Sequence, residues 1–173
     1  MITPEFSRPI RIDTLGEGGR AIAIEADEAE RAALAERFGL ISLALLAADA
    51  ALRREGETIL AEGRVRAMAE QACVATGGPV PVAIDEAFSL RFVPEGDAEE
   101  IELDVEDCDT IDYSGSAVDL GEAIAETLAL SLDPFPRAPD AEAVLKAAGI
   151  LSEDEVVSGP FAALKALKDK LGK

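Results

Sequence analysis

The chain has no histidine. That absence removes the commonest metal ligand, the commonest general base and every Ser–His or Cys–His nucleophile pair. Cysteine is nearly absent too. Cys73 and Cys108 are the only two, too few for a disulfide framework, and a reduced cytosolic setting is the simpler expectation. The aromatics are six phenylalanines and one tyrosine, although 49% of residues are hydrophobic. A core must therefore come mainly from Leu, Val, Ile and Ala. The longest apolar run, 41–52, contains Asp49 and falls short of the roughly 20 residues that span a bilayer. With Pro4, Glu5 and Arg8 near the start, no signal peptide is expected.

Positive charge is also scarce. Sixteen Lys and Arg face 35 Asp and Glu, for a formal charge of −19. From Phe92 to Pro136 there are fourteen carboxylates and not one Lys or Arg. Phosphate contacts supply most nucleic-acid affinity and need clustered cations. The balance therefore argues against nucleic acid and anionic membrane, and toward basic partners.

What is present reads as one α+β domain over residues 1–150, followed by a tail, 151–173, with a short amphipathic helix. Residues 9–13 alternate as a first strand, Gly16-Glu-Gly-Gly19 turns the chain, and residues 21–24 form a second strand. Asp27 with Glu30 fits a capping box for a helix to Phe38, with Ala33, Leu34 and Phe38 inward and Gly39 as its stop. Residues 41–52 suit either strand or helix, and Arg53-Arg-Glu-Gly56 is a hairpin turn. In 57–74, Ile59, Ala61, Gly63, Val65, Ala67 and Ala69 share one phase. In 80–92, Val80, Val82, Ile84, Phe88, Leu90 and Phe92 share another, interrupted by Glu86. These segments make an antiparallel meander with one buried face, either open or barrel-like. The acidic stretch Glu95–Asp112 reads as a solvated loop, with Ile101, Leu103 and Val105 as a short edge strand. Asp119, with Glu122 as capping partner, opens a helix whose face is Leu120, Ala123, Ile124 and Leu128. Asp133-Pro-Phe-Pro136 stops it. A further helix runs from Asp140 to near Gly149, and the last from Pro160, with Phe161, Leu164 and Leu167, toward Leu171.

Few residues stand out as chemistry. The acidic run lacks the Asp-x-Asp-x-Asp-Gly order of a calcium loop, so no metal or other cofactor is expected. Glu86 is expected near a sheet edge or opposite Arg64 or Arg66. Cys73 ends a strand as a small buried residue, and Cys108 lies among acids that discourage its thiolate. Ser114 and Ser116 suit a turn.

Four passages together resemble the YceD-like family, the large ribosomal RNA subunit accumulation proteins. They are Gln71-Ala-Cys-Val-Ala-Thr-Gly-Gly-Pro-Val80, Phe88-Ser-Leu-Arg-Phe92, the helix Val118–Leu130 with its proline stop, and Gly159-Pro-Phe-Ala-Ala-Leu-Lys-Ala-Leu-Lys168. The resemblance covers roughly residues 71 to 168. Many relatives carry Cys-x-x-Cys at the turn. Here Cys73 fills the first position, Thr76 replaces the second, and 135–142 holds no cysteine. A thiolate metal site needs several such ligands, so a zinc role does not carry over.

The resemblance implies a role in large-subunit ribosomal RNA accumulation and ribosome assembly, without a known reaction. Joined to the charge, it gives a non-enzymatic cytoplasmic factor that binds a basic ribosomal or assembly protein. The expected contacts are Glu99, Glu100, Glu102, Asp104, Glu106, Asp107 and Asp109, with Phe161 and Leu164 of the tail. One alternative is direct ribosomal RNA binding through Arg53, Arg54, Arg64 and Arg66. Another is a carboxylate-dependent hydrolase, for which the sequence selects neither catalytic residues nor substrate. Oligomeric state is not legible.

Overall fold

A computed structural model of the protein describes residues 4–96 and 109–150. The architecture is α+β in two layers. A five-stranded sheet runs β2 (Arg20–Glu25), β3 (Ser42–Glu55), β4 (Thr58–Ala72), β5 (Pro79–Pro94) and β6 (Asp109–Tyr113). The first four strands are antiparallel neighbours, as the meander reading expects, and β6 joins β5 in parallel. The sheet is open, with β2 and β6 at its ends, and does not close into a barrel. A two-stranded ribbon pairs β1 (Pro9–Arg11) with β7 (Ala117–Asp119). The helices are α1 (Glu28–Phe38), α2 (Leu120–Ser131) and α3 (Ala141–Ala147).

The two-residue period sorts β4 and β5, whereas β3 breaks it at Leu46–Ala48, next to a register shift between Leu43 and Leu45. Ile59, Ala61, Val65, Ala67 and Ala69 of β4 are buried, as are Ile84, Phe88, Leu90 and Phe92 of β5. They meet α1, which packs on β3, and α2, which packs on β4 and β1. Leu120, Ile124 and Leu128 of α2 are fully buried, with Ala123 and Ala125 beside them. Phe6, also fully buried, joins the same core.

Residues 41–52 resolve to strand. Alanine favours helix when isolated, but β2 and β4 pair this segment on both sides. Arg53 and Arg54 belong to β3, so the hairpin turn is confined to the residues around Gly56, whose φ is 65°. The first strand stops at Arg11, and residues 12–14 form a 3-10 turn. The capping box at Asp27 and Glu30 forms in both directions, and Gly39 is left-handed at φ 64°. Leu34 and Ala35 are the buried residues of α1, with Ala33 and Phe38 half-buried.

Residues 109–112 correct the loop reading of the acidic stretch. Ile111 and Tyr113 are half-buried while their neighbours are exposed, and this alternation lets β6 pair with Leu90–Pro94. The proposed strand at Ile101–Val105 lies outside the described residues, as do Cys108 and the tail helix. Ser116 serves the turn before α2, where its carbonyl accepts the Ile12 N–H.

Candidate partner-binding surfaces

The acidic run leaves and rejoins the fold at one edge of the sheet. The Glu95 N–H donates to the Tyr113 carbonyl at 2.9 Å, and the Tyr113 hydroxyl donates to the Glu57 carbonyl at 2.6 Å. Asp109, the first residue of β6, is exposed and stands opposite Leu90. Glu99, Glu100, Glu102, Asp104, Glu106 and Asp107 lie between these anchors, outside the described residues. Phe161 and Leu164 also lie outside them.

The four arginines do not gather into one patch. Arg53, Arg64 and Arg66 alternate out of phase with the buried positions and project from the outer sheet face, whereas Arg54 lies in the inner phase. Each contacts an acceptor. Arg53 faces Glu55 at 3.3 Å and Glu62 at 4.0 Å, Arg64 meets Asp85 at 2.7 Å, and Arg66 meets Asp49 at 2.5 Å. The Arg54 Nε–H donates to the Gly56 carbonyl at 2.7 Å. These are surface pairs screened by solvent, worth little to stability, but they neutralise the face locally.

Glu86 is not opposite either arginine. It pairs in register with Val65, while Arg64 faces Ala87 and Arg66 faces Asp85. Its carboxylate accepts the hydroxyl of Ser131, the last residue of α2, at 3.0 Å. An acid in the apolar phase is thus tolerated because the covering helix ends there, leaving the side chain exposed.

Cys73 is buried at 2% exposure at the head of the β4–β5 turn. Its Sγ accepts the Ala138 N–H at 3.3 Å. That donor, the Thr76 hydroxyl and the turn amides of Ala75 and Thr76 stabilise a thiolate and draw the thiol down to about 7. The sulfur thus joins the turn to the segment after α2. A metal does not fit here. Thr76 offers no thiolate, and no group of three potential ligands occurs among the described residues.

Two clusters that join sequence-distant residues were not legible in sequence. Asp119 accepts from the Gly121 and Glu122 amides as a helix cap, but also from the Ser7 hydroxyl at 2.5 Å and the Arg8 N–H at 2.7 Å. Arg8 in turn makes a two-pronged pair with Glu30. Glu122 does not complete a capping box, because its carboxylate turns to Arg37, which also reaches Glu5. The carboxylates of Glu5, Asp13 and Glu30 are held low. The backbone leads for Glu5, Arg11 for Asp13 and Arg8 for Glu30. These shifts favour the ionised form and provide no proton donor near neutrality. Among the described residues, no helix is long and apolar enough to cross a membrane.

The arrangement defines an acidic α+β protein with an open sheet, on whose outer face Arg53, Arg64 and Arg66 are paired with carboxylates. Comparison with protein families places it more closely. Residues 61–168 match the family described as large ribosomal RNA subunit accumulation protein YceD. The chain belongs to that family. Neither the curated proteins nor the solved structures give a match. The matched span begins within β4, ten residues before the passages that carry the resemblance, and includes the whole acidic run.

Proposed function

We propose that this chain is a non-enzymatic factor in the accumulation of large-subunit ribosomal RNA, acting through a basic protein partner held against its acidic edge. The observation that carries the reading is the coincidence of the family match, over 61–168, with a run of acids free of Lys and Arg inside it. A ribosomal protein outside the ribosome has uncompensated positive charge. A segment rich in carboxylates and free of Lys and Arg screens that charge. Pairing of Arg53, Arg64 and Arg66 with carboxylates favours a protein over RNA as the direct ligand. Cytoplasmic action is part of the proposal.

Affinity purification at low salt, with protein and RNA identified together, tests it. A basic ribosomal or assembly protein is expected to co-purify and to be lost as salt rises, because screening shortens the reach of charge. Neutralising Glu99, Glu100, Glu102, Asp104, Glu106, Asp107 and Asp109 as Gln or Asn is expected to abolish capture. Recovery of large-subunit RNA without a protein partner, lost on Arg64→Ala and Arg66→Ala instead, overturns the reading.

A further inference from the structure

At the end of the molecule where α2 stops, apolar side chains are left uncovered among the described residues. A groove of about 380 Å³ lies between the end of α1, the end of β4 and the proline stop, lined by Phe38, Leu40, Val74, Leu132 and Pro136. Val74 is 53% exposed, and Leu130 and Phe135, adjacent in sequence to lining residues, are 78% and 72% exposed. The one charged residue in the lining is an acid, Asp133.

We infer that this groove is the seat of the chain's own C-terminal segment, Pro160–Leu171, docked as an amphipathic helix. Three observations select this occupant. In a helix, Phe161, Leu164, Leu167 and Leu171 fall on one face by their spacing of three, three and four. The segment also has the complementary charge. Lys165, Lys168, Lys170 and Lys173 are four of the chain's five lysines, and only Asp169 opposes them between residues 160 and 173. It is the cationic end of a strongly anionic protein, and the groove's charged lining is negative. Finally, the chain already lies alongside the groove. The Val74 N–H donates to the Pro136 carbonyl at 2.9 Å, and α3 starts five residues later. From Ile150, the residues 151–159 reach up to about 30 Å when extended, comparable with the width of a domain of this size. The inference concerns the tail and is independent of the partner assigned to the acidic run. It does reassign Phe161 and Leu164 from partner contacts to internal ones.

Hydrogen exchange of the full chain, read by mass spectrometry, tests the docking from both sides. The amides of Gly39, Leu40 and Val74 are already hydrogen-bonded at the groove, so their exchange reports local opening. Leu164→Asp is expected to speed exchange across residues 38–40, 72–74 and 132–138 at least several-fold, leaving the centre of β4 unchanged. Val74→Asp, in the groove, is expected to speed exchange across 160–171. Lys165→Glu with Lys168→Glu should do the same as Leu164→Asp. Unchanged groove exchange in Leu164→Asp overturns the inference, as does unchanged tail exchange in Val74→Asp. Groove protection that falls on dilution, together with loss of a dimer in sedimentation, assigns the groove to a second copy and also overturns it.

Discussion

Arg37, in the last turn of α1, grips Glu122, in the first turn of α2, through two hydrogen bonds of 3.0 and 2.7 Å. The two residues are 85 positions apart. The contact joins the two helices that cover the sheet and raises the guanidinium's affinity for its proton, with Glu122 the main cause. Both side chains retain a quarter to a third of their exposure, so solvent screening discounts the pair. Arg37→Ala is expected to destabilise the protein by about 1–2 kcal/mol, partly by leaving Glu5 and Glu122 unneutralised. A double-mutant cycle with Glu122→Gln should give a coupling of about 1 kcal/mol in denaturant unfolding.

Asp119 is expected to be the more costly acid to remove. It caps α2 and also holds Ser7 and the Arg8 amide. Asp119→Ala therefore orphans several donors at once and should cost about 2–3 kcal/mol. Asp119→Asn keeps an acceptor and should cost less. Thermal unfolding of the two variants measures the difference.

The glycines separate into tight and open positions. A Cβ at Gly63 would collide with the Asp49 carbonyl, and would lie 2.9 Å from the Ala50 Cα. One at Gly121 would collide with the Phe6 carbonyl, and would lie 2.9 Å from the Arg8 nitrogen. Backbone cannot yield as a side-chain tip can, so Gly63→Ala and Gly121→Ala should each cost about 3 kcal/mol or more, the scale of overpacking. Gly16 and Gly18 have open space around them and no left-handed backbone. Ala at either is expected to be neutral or slightly stabilising, by up to about 1 kcal/mol through the unfolded chain. Chemical denaturation of the four variants checks the ranking.

Cys73 gives a pH signature with a defined sign. Its folded value is about 7 against an ordinary 9.0. A depressed value means that the native state holds the thiolate better than the unfolded chain does. The added stability is complete above about 9.0 and is lost as pH falls through about 7. Relative to Cys73→Ser, the natural chain should therefore gain stability between these limits and show no further gain above them. Unfolding of both proteins across this range supplies the test, with Cys108→Ser in each to remove the second thiol.

Local chemistry made much of the fold readable. The Asp27 capping box, the Gly39 stop and the buried phases of β4 and β5 depend on short-range spacing, and sequence carries spacing directly. The segment 41–52 was ambiguous because its identity depends on β2 and β4, not on its own alanines. β6 was missed because its short alternation lies inside a run of acids, where charge obscures pattern. Glu122 was given to a cap it does not complete, since nothing nearby in sequence announces Arg37. Among the candidate surfaces, sequence identified the charges but not their partners. Sequence offers Glu86 as a partner for Arg64 or Arg66, whereas the register of three strands brings Asp85 and Asp49 to them.

The parallel pairing of β6 with β5 has a topological consequence. A chain that leaves β5 at Pro94 must return to the level of Leu90 before β6 can begin, while the Glu95–Tyr113 hydrogen bond joins the exit from β5 to the far end of β6. Both attachment points of the intervening acids, Gly96 and Asp109, belong to the described scaffold, and doubling the length of a flexible connection between two such points costs only about 0.6 kcal/mol. Residues can therefore be added or removed between these two points with little reference to the register of the sheet.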